Sequence, residues 1–523
     1  MNIAEILRTH ARQFPDAVAI IDVHRGRSRR TTYGELEQAV GRMTGLFRQS
    51  GLRAGDTVLL FHPMSAELYI ALAAILRMEL TAMFIDPSAG RRYIDRCCEL
   101  IPPQALVASS KAHLLRLLSP ALRRIPAKFS IGGRVPFARP LEHAAQFEYD
   151  NSIRLCDSER PALVSFTSGS TGEPKAALRT HGFLLAQHRA IEESLTLTPG
   201  EVELVTLPIF VLANLASRVT SIIANADLRR PATIFPQPVV AQIREHAASR
   251  AAASPAFFER IVDYCEKRGI HLSTLQKIFT GGGPVSPRLL DRLQQVAPQA
   301  EITGVYGSTE AEPISTVRIR DIDAGDRAAM DRGHGLLVGR PLPSLDVRIM
   351  NDCRGRSVGP CTAGEFETVC RSRGAAGEIV VSGNHVLTGY LHGKGDDENK
   401  VRVDGICWHR TGDAGYFDEH DRLWLLGRCA ARVDDSRGVL YPLGVEQAAL
   451  RHPCIGQAAM VAHRGQRVLA VTLQDRSPQP DLGSLLKALS FAHVDSIRIL
   501  KRLPVDRRHN AKIDYPALRQ MLE

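Results

Sequence analysis

The stretch Phe166-Thr167-Ser168-Gly169-Ser170-Thr171-Gly172-Glu173-Pro174-Lys175 combines two glycines, four hydroxyl side chains and a lysine. Glycine lets the backbone turn sharply, so that N–H groups and Oγ atoms converge on one anion that the lysine neutralises. Ala162-Leu163-Val164-Ser165-Phe166 precede it and Ala176-Ala177-Leu178 follow it. These apolar flanks predict a loop leaving one buried strand and entering another. The loop is not a Walker A motif, because Gly169 and Gly172 are three apart and Ala176 follows Lys175. A Ser/Gly-rich surface turn is the alternative reading of such a composition.

Outward from this loop, Thr57-Val58-Leu59-Leu60-Phe61 and Ala82-Met83-Phe84-Ile85 read as buried strands, with a helix over residues 66–80 between them. Helical and β-branched segments alternate to about residue 427, which predicts a largely parallel sheet with helices on its faces. The composition changes near Leu425-Leu426-Gly427-Arg428. A helix signal over residues 445–451 and strand signals at 458–462 and 468–472 follow. We therefore expect a large N-terminal α/β domain over residues 1–428 and a small, mobile α+β domain over 429–523.

Four further segments carry chemistry. Gly304-Val305-Tyr306-Gly307-Ser308-Thr309-Glu310 offers a ring for stacking on a nucleobase, hydroxyls for phosphate and a carboxylate suited to hydrated Mg²⁺. A turn between core elements is its bland reading. Thr280-Gly281-Gly282-Gly283-Pro284 allows a flat ligand to approach the backbone, or is simply a helix-entry loop. Thr411-Gly412-Asp413 places a carboxylate in a tight turn, where it can accept both hydroxyls of a ribose or merely close a hairpin. Near the C-terminus, Lys512 sits in the basic stretch Arg507-Arg508-His509-Asn510-Ala511-Lys512, either to reach a reacting carboxylate or as part of a solvated loop.

The bulk properties exclude several classes. With 523 residues, 44% hydrophobic and 23% charged, the chain has the composition of an ordinary globular protein. No apolar run reaches membrane length, since the best candidate is broken by Arg77 and Glu79. The N-terminus lacks a signal-peptide layout. The ten cysteines include no CxxC pair, which points to reduced thiols in the cytoplasm. The net charge of +10 comes without a basic block interleaved with aromatics, so it suits anionic substrates or a solvated surface rather than nucleic acid.

Taken in order and spacing, these motifs resemble the adenylate-forming superfamily of acyl-CoA synthetases, adenylation domains and luciferase-like enzymes. The likeness runs from Phe14-Pro15-Asp16-Ala17 and Thr32-Tyr33-Gly34-Glu35-Leu36 to Lys512. It implies an AMP-forming ligase that uses ATP and Mg²⁺ to activate a carboxylic acid. Thr167, Ser168, Gly169, Ser170, Thr171, Gly172 and Lys175 would hold the β- and γ-phosphates. Gly281, Gly282, Gly283, Pro284, Tyr306 and Gly307 would surround adenine. Thr309 would touch the α-phosphate, Glu310 would hold Mg²⁺, Asp413 and Arg428 would bind ribose, and Lys512 would support adenylation.

The chain departs from most acyl-CoA synthetases after Arg428. Ala430 stands at the hinge position, Asp434 where a lysine is usual, and the only nearby glycine is Gly438. Residues 504–513 and 437–441 resemble instead the β-lactone synthetases of bacterial olefin biosynthesis. That likeness implies a β-hydroxy acid whose own hydroxyl closes on the activated carbonyl, with other enzymes of a lipid or olefin pathway as partners. An acyl-CoA or acyl-carrier ligase is the alternative, and a non-catalytic nucleotide-binding relative is a third reading. The apolar run Leu207-Pro208-Ile209-Phe210-Val211-Leu212 favours a long alkyl substrate in a pocket around residues 210–219, 305–306 and 313–314.

Overall fold

The computed structural model describes residues 2–86, 89–168, 173–353, 356–474, 481–505 and 513–523. Residues 169–172 of the Ser/Gly loop and Lys512 lie outside the described residues. The chain forms two compact units, Met1–Ala226 with Ala241–Ala252 and Gly389–Asp396, and Asp227–Val240 with Ala253–Thr388 and Asp397–Glu523.

The first unit contains a seven-stranded sheet whose central strands are continuous apolar runs, as expected when both faces are covered. Thr57–Phe61 is buried along its whole length and pairs in parallel with Thr81–Phe84 and Ala105–Ser109. The intervening helix is Ala66–Arg77, capped by Ser65 Oγ, which accepts from Leu68 N–H. It ends three residues before the expected limit because Glu79 adopts φ +60° and turns the chain. The two charges that interrupt this apolar run are both satisfied. Arg77 donates to Glu37 at 2.5 Å, and Glu79 accepts from Arg160 at 2.7 Å and Arg154 at 3.1 Å. The unit also contains parallel strands Val18–His24, Thr220–Ile223, Val202–Val205 and Arg250–Ala253, with Arg27–Thr32 antiparallel at the edge.

The second unit starts in the same style, with Lys277–Gly281 parallel to Glu301–Ser308. From there the chain turns antiparallel, through Ala311–Arg318, Leu336–Pro341, Leu423–Arg428, Ile406–Phe417, Gly377–Ser382 and Asp346–Met350. Parallel strand–helix alternation therefore stops well before residue 427. Helices Ala324–Asp331 and Ala363–Val369 still intervene between strands, but they join antiparallel strands rather than forming parallel crossovers.

The C-terminal part of the second unit is a smaller α+β arrangement. Ile455–His463, Gln466–Leu473 and Ser496–Ile499 form its sheet. Helix Pro442–Ala449 packs on that sheet through Val445, Ala448 and Ala449 against Ile455, Met460 and Leu469. It begins earlier than its apolar periodicity suggests, because Pro442 occupies the first turn where a missing N–H costs nothing. The fold class is thus α/β with mixed, largely parallel sheets and a smaller α+β domain. Among the described residues no helix is long and apolar enough to cross a membrane.

Glu446 on this helix is buried, accepting from Tyr515 Oη at 2.8 Å and from Met460 N–H at 3.0 Å. Burial pushes its carboxyl up to about 7. A folded-state value above the unfolded one gives stability that is complete at low pH and lost as pH rises through 7. Thermal unfolding from about pH 5 to pH 8 should therefore show a decline that Glu446→Gln flattens, by no more than about 3 kcal/mol. An equal decline in the variant would rule out Glu446 as its source.

Candidate active site

In the first unit, strands Pro161–Ser168 and Pro174–Thr180 form an antiparallel hairpin that sets Thr167 directly opposite Lys175 and Ser168 opposite Pro174. Pro161–Ser168 is also parallel to Thr81–Phe84, so the loop emerges at the carboxyl end of parallel strands, where α/β sheets bind ligands. Lys175 is 8% exposed, with Nζ 5.8 Å from the centre of the Tyr390 ring. Gly395, at φ +95°, passes so close that a Cβ there would lie 2.5 Å from Lys175 Cε. Sequence reasoning found the lysine but neither Tyr390 nor Gly395, which lie more than two hundred residues away and carry no motif.

The first unit also holds an apolar cavity of about 70 Å³. Ile209, Leu212 and Leu215 of helix Pro208–Ser217 line it with Ile3, Leu7, Tyr69 and Leu76. The apolar run noted in the sequence is therefore a helix with one side on a small greasy void; Phe210, expected in the lining, is buried elsewhere.

In the second unit, Gly281 pairs with Val305, and a Cβ on Gly281 would meet Val305 O at 2.5 Å. Close strand packing therefore demands this glycine. Gly282 follows at φ +79° with open space beside it. Gly283, Pro284, Gly304, Val305 and Tyr306 together line a second cavity of about 40 Å³. At the ends of these strands Thr280 Oγ1 and Ser308 Oγ are buried without a hydrogen-bond partner among the described residues. Two orphaned hydroxyls beside a glycine turn are what a polar ligand would satisfy.

Asp413 was expected in a tight turn; it lies instead inside strand Ile406–Phe417. Glu378 pairs with Ala414 and Val380 with Arg410, so residues 411–413 bulge from the ladder, with Gly412 at φ +70°. On the strand's other side Asp413 stays paired opposite Arg428. Asp413 Oδ2 accepts from Tyr306 Oη at 3.0 Å and its Oδ1 from Arg428 Nη1 at 2.8 Å. Asp413 in turn holds the Arg428 guanidinium above its ordinary value, and burial pushes the Tyr306 phenol far up. Beneath the bulge, Glu378 accepts from Arg410 Nε and Nη2 at 2.9 and 2.6 Å, and from Gly412 N–H at 3.2 Å.

Thr309 and Glu310 occupy the turn between Glu301–Ser308 and Ala311–Arg318. Glu310 is ringed by groups that the sequence did not reveal. Its backbone oxygen accepts from Leu387 N–H at 2.8 Å, Leu387 O accepts from the buried Lys400 Nζ, and Lys400 Nζ lies 3.3 Å from His409 Nδ1. His409 Nε2 faces the Glu310 carboxylate at 4.0 Å. Burial, aided by the Lys400 ammonium, pushes His409 down to about 3, so the ring is neutral. Its Nδ1 also lies 3.1 Å from Asn399 O, and can serve the donor or the acceptor but not both.

Comparison with known proteins matches residues 7–391 to a family described as AMP-binding enzyme. The chain belongs to the AMP-binding enzyme family. It is 30% identical to an olefin β-lactone synthetase of Xanthomonas campestris pv. campestris, over 98% of this chain and 96% of the relative. It is 22% identical to a mitochondrial medium-chain acyl-CoA ligase of Mus musculus, over 95% of this chain and 83% of that one. An amide bond synthetase from Marinactinospora thermotolerans has the same fold, with a TM-score of 0.80, 21% identity and full coverage of both chains. The protein is accordingly an AMP-forming ligase of the adenylate-forming type.

The buried pair under the bulge generates a stability prediction. Arg410→Met strands the Glu378 carboxylate and should cost about 3–5 kcal/mol in denaturant unfolding. Glu378→Leu with Arg410→Met should recover most of that loss, because the desolvation penalty of both charges disappears. No recovery in the double variant would mean that the pair is not the source.

Proposed function

We propose that this AMP-forming ligase activates a long-chain β-hydroxy acid as its acyl-AMP and then closes the acid's own hydroxyl onto the activated carbonyl, releasing a β-lactone and AMP. In the first step a carboxylate oxygen attacks the α-phosphorus of ATP and the bond to pyrophosphate breaks. In the second the β-hydroxyl oxygen bonds to the acyl carbon, the acyl–phosphate bond breaks, and the hydroxyl proton leaves to solvent. Protein groups position the reactants and stabilise spreading negative charge.

The residues take the following roles. Thr167, Ser168, residues 169–172 and Lys175 hold the β- and γ-phosphates. Gly281, Gly282, Gly283, Pro284, Tyr306 and Gly307 enclose adenine, Asp413 and Arg428 the ribose, and Thr309 the α-phosphate. The oriented Asp413 and the orphaned hydroxyls of Thr280 and Ser308 support this assignment. Glu310, a hard oxygen donor whose side chain is 13% exposed, fits Mg²⁺ that keeps most of its waters and supplies charge neutralisation for the phosphates. Lys512, outside the described residues, supports adenylation. It belongs to a C-terminal lid over residues 429–523, which starts at the short turn Cys429–Ala431 after strand Leu423–Arg428. We place the enzyme in the cytoplasm, with other enzymes of a lipid pathway as partners.

The observation that carries lactone closure over thioester formation is the segment after Arg428. It folds as the hairpin Val433–Asp435 with Gly438–Leu440, and carries Asp434 rather than a cation. Arg467 and Arg437 both bind Asp435, and Arg437 also binds Asp495 at 2.9 Å. Arg432 and Tyr441 both bind Asp352, at 2.8 and 3.1 Å. A hairpin whose aspartates and arginines are tied to one another, with Asp434 where a lysine is usual, is poorly suited to escorting the phosphates of CoA. Similarity to a medium-chain acyl-CoA ligase favours the second reading, a thioester-forming ligase.

Purified enzyme with ATP, Mg²⁺ and a long-chain β-hydroxy acid should yield, by mass spectrometry, a product one water lighter than the acid, with AMP and without CoA. A product that appears only as the CoA thioester would establish the second reading instead. Lys512→Ala should abolish acyl-AMP formation while ATP binding, followed by calorimetry, persists. Tyr306→Phe removes one hydrogen bond to Asp413 and should raise KM for ATP roughly fivefold, about 1 kcal/mol. Asp413→Ala should lower kcat/KM for ATP on the order of 100-fold, about 3 kcal/mol; an unchanged value would remove Asp413 from the nucleotide site.

A further inference from the structure

The positive charge of this chain is not even. From Ile101 to Leu141 there are seven lysines and arginines and no aspartate or glutamate. This segment builds one edge of the seven-stranded sheet in the first unit, where Ala105–Ser109 and Ala127–Ile131 run in parallel with Ser109 beside Ile131. The chain leaving each strand therefore emerges at the same end. After the first it forms the short helical turns Ala112–Leu114 and Leu115–Leu118; after the second it forms a tight turn over residues 135–138. Arg116 Nη1 joins the two by donating to Pro136 O at 3.1 Å.

Four large apolar side chains are left in solvent at this end. Leu114 is 62% exposed, Leu117 73%, Leu118 61% and Phe137 91%. Phe137 is the most informative. It occupies the third position of the turn closed by Ala138 N–H to Val135 O at 3.1 Å, behind Pro136, and its φ is +59°. That position favours glycine or asparagine, and a bulky side chain there is strained. Here an aromatic ring is held in a strained conformation and directed into water, with no contact inside the fold to reward it. Cations share these loops: Lys111 and Arg134 are exposed on them, and Arg123 reaches back to donate to the carbonyls of Arg116 and Leu117. The carboxylates that flank the segment bond back to it. Glu142 accepts from Gly132 N–H, and Asp95 accepts from Ser119 Oγ.

We propose that these two loops at the edge of the sheet form a membrane-docking surface, which places Phe137 and the three leucines into the headgroup–acyl boundary of an anionic bilayer while Lys111 and Arg134 meet lipid phosphates. Charge complementarity selects an anionic surface. The protruding turn with its exposed aromatic tip selects a bilayer over a folded protein partner. The inference does not depend on which acid the enzyme activates.

Co-sedimentation of the full chain with phosphatidylcholine vesicles, with and without one quarter phosphatidylglycerol, tests it. Wild type should bind the anionic vesicles and leave the neutral ones. Phe137→Gly suits the turn's positive φ, so it should keep or raise the melting temperature and leave pyrophosphate exchange unchanged, while vesicle partitioning falls roughly tenfold. Lys111→Gln with Arg134→Gln should lower partitioning roughly 25-fold, at about fivefold per charge. Absence of binding to anionic vesicles, or binding that ignores Phe137, overturns the proposal. So does a wild-type dimer in light scattering that Phe137→Gly converts to monomer, because the patch would then be a contact between copies of the chain.

Discussion

The bulge at residues 411–413 is the constraint on which the Tyr306–Asp413–Arg428 arrangement depends. A regular strand would send Thr411 and Asp413 to one face at fixed spacing, at the same depth as their neighbours. Two extra residues lie between the pairings of Glu378 and Val380, while on the other side of the strand Asp413 stays opposite Arg428, and Tyr306 and Arg428 each take one of its oxygens. Such a distortion persists only where the surroundings over-determine it. Here Gly412 supplies the positive φ, and Glu378 holds both the Gly412 amide and the Arg410 guanidinium from below.

The same strand carries His409, so one twelve-residue element aligns both the Tyr306–Asp413–Arg428 group and the groups around Glu310. Burial governs the charge states throughout. His409 is neutral because it is desolvated beside an ammonium, whereas Arg428 is held cationic by Asp413. Buried ions elsewhere come with partners as well: in the first unit Arg250 is fully buried between Glu201 and Glu203. Interior charge of this kind adds little net stability but makes the wrong arrangement costly.

On the proposed reading, the C-terminal hairpin is where two second steps of a shared fold would diverge. Adenylation needs only the nucleotide groups, a lysine and a bound acid. A thioester-forming second step needs, in addition, a segment that welcomes a phosphorylated thiol. Asp434 stands there without a lysine, and Asp435 is tied to Arg437 and Arg467, so the charges of that segment are spent on one another.

Much of this protein was legible in its sequence, and the reason is local. Buried parallel strands such as Thr57–Phe61 announce themselves as apolar runs, and the hydroxyl- and glycine-rich loop reads directly because backbone freedom and donor density are properties of adjacent residues. The antiparallel return of residues 336–428 was not legible, since helices such as Ala363–Val369 still alternate with its strands and strand direction leaves no period in the sequence. The bulge was misread as a turn because Thr-Gly-Asp suits either, and only the pairing of Glu378 and Val380 separates the two. Tyr390, Gly395, Lys400 and His409 carried no signal at all. Their positions near Lys175 and Glu310 come from chain segments up to 220 residues apart in sequence. The sequence by itself determined the family and the residue types that its chemistry needs. Only the tertiary structure decided which of those residues are oriented, neutralised or left exposed, because burial and pairing are set by neighbours in space.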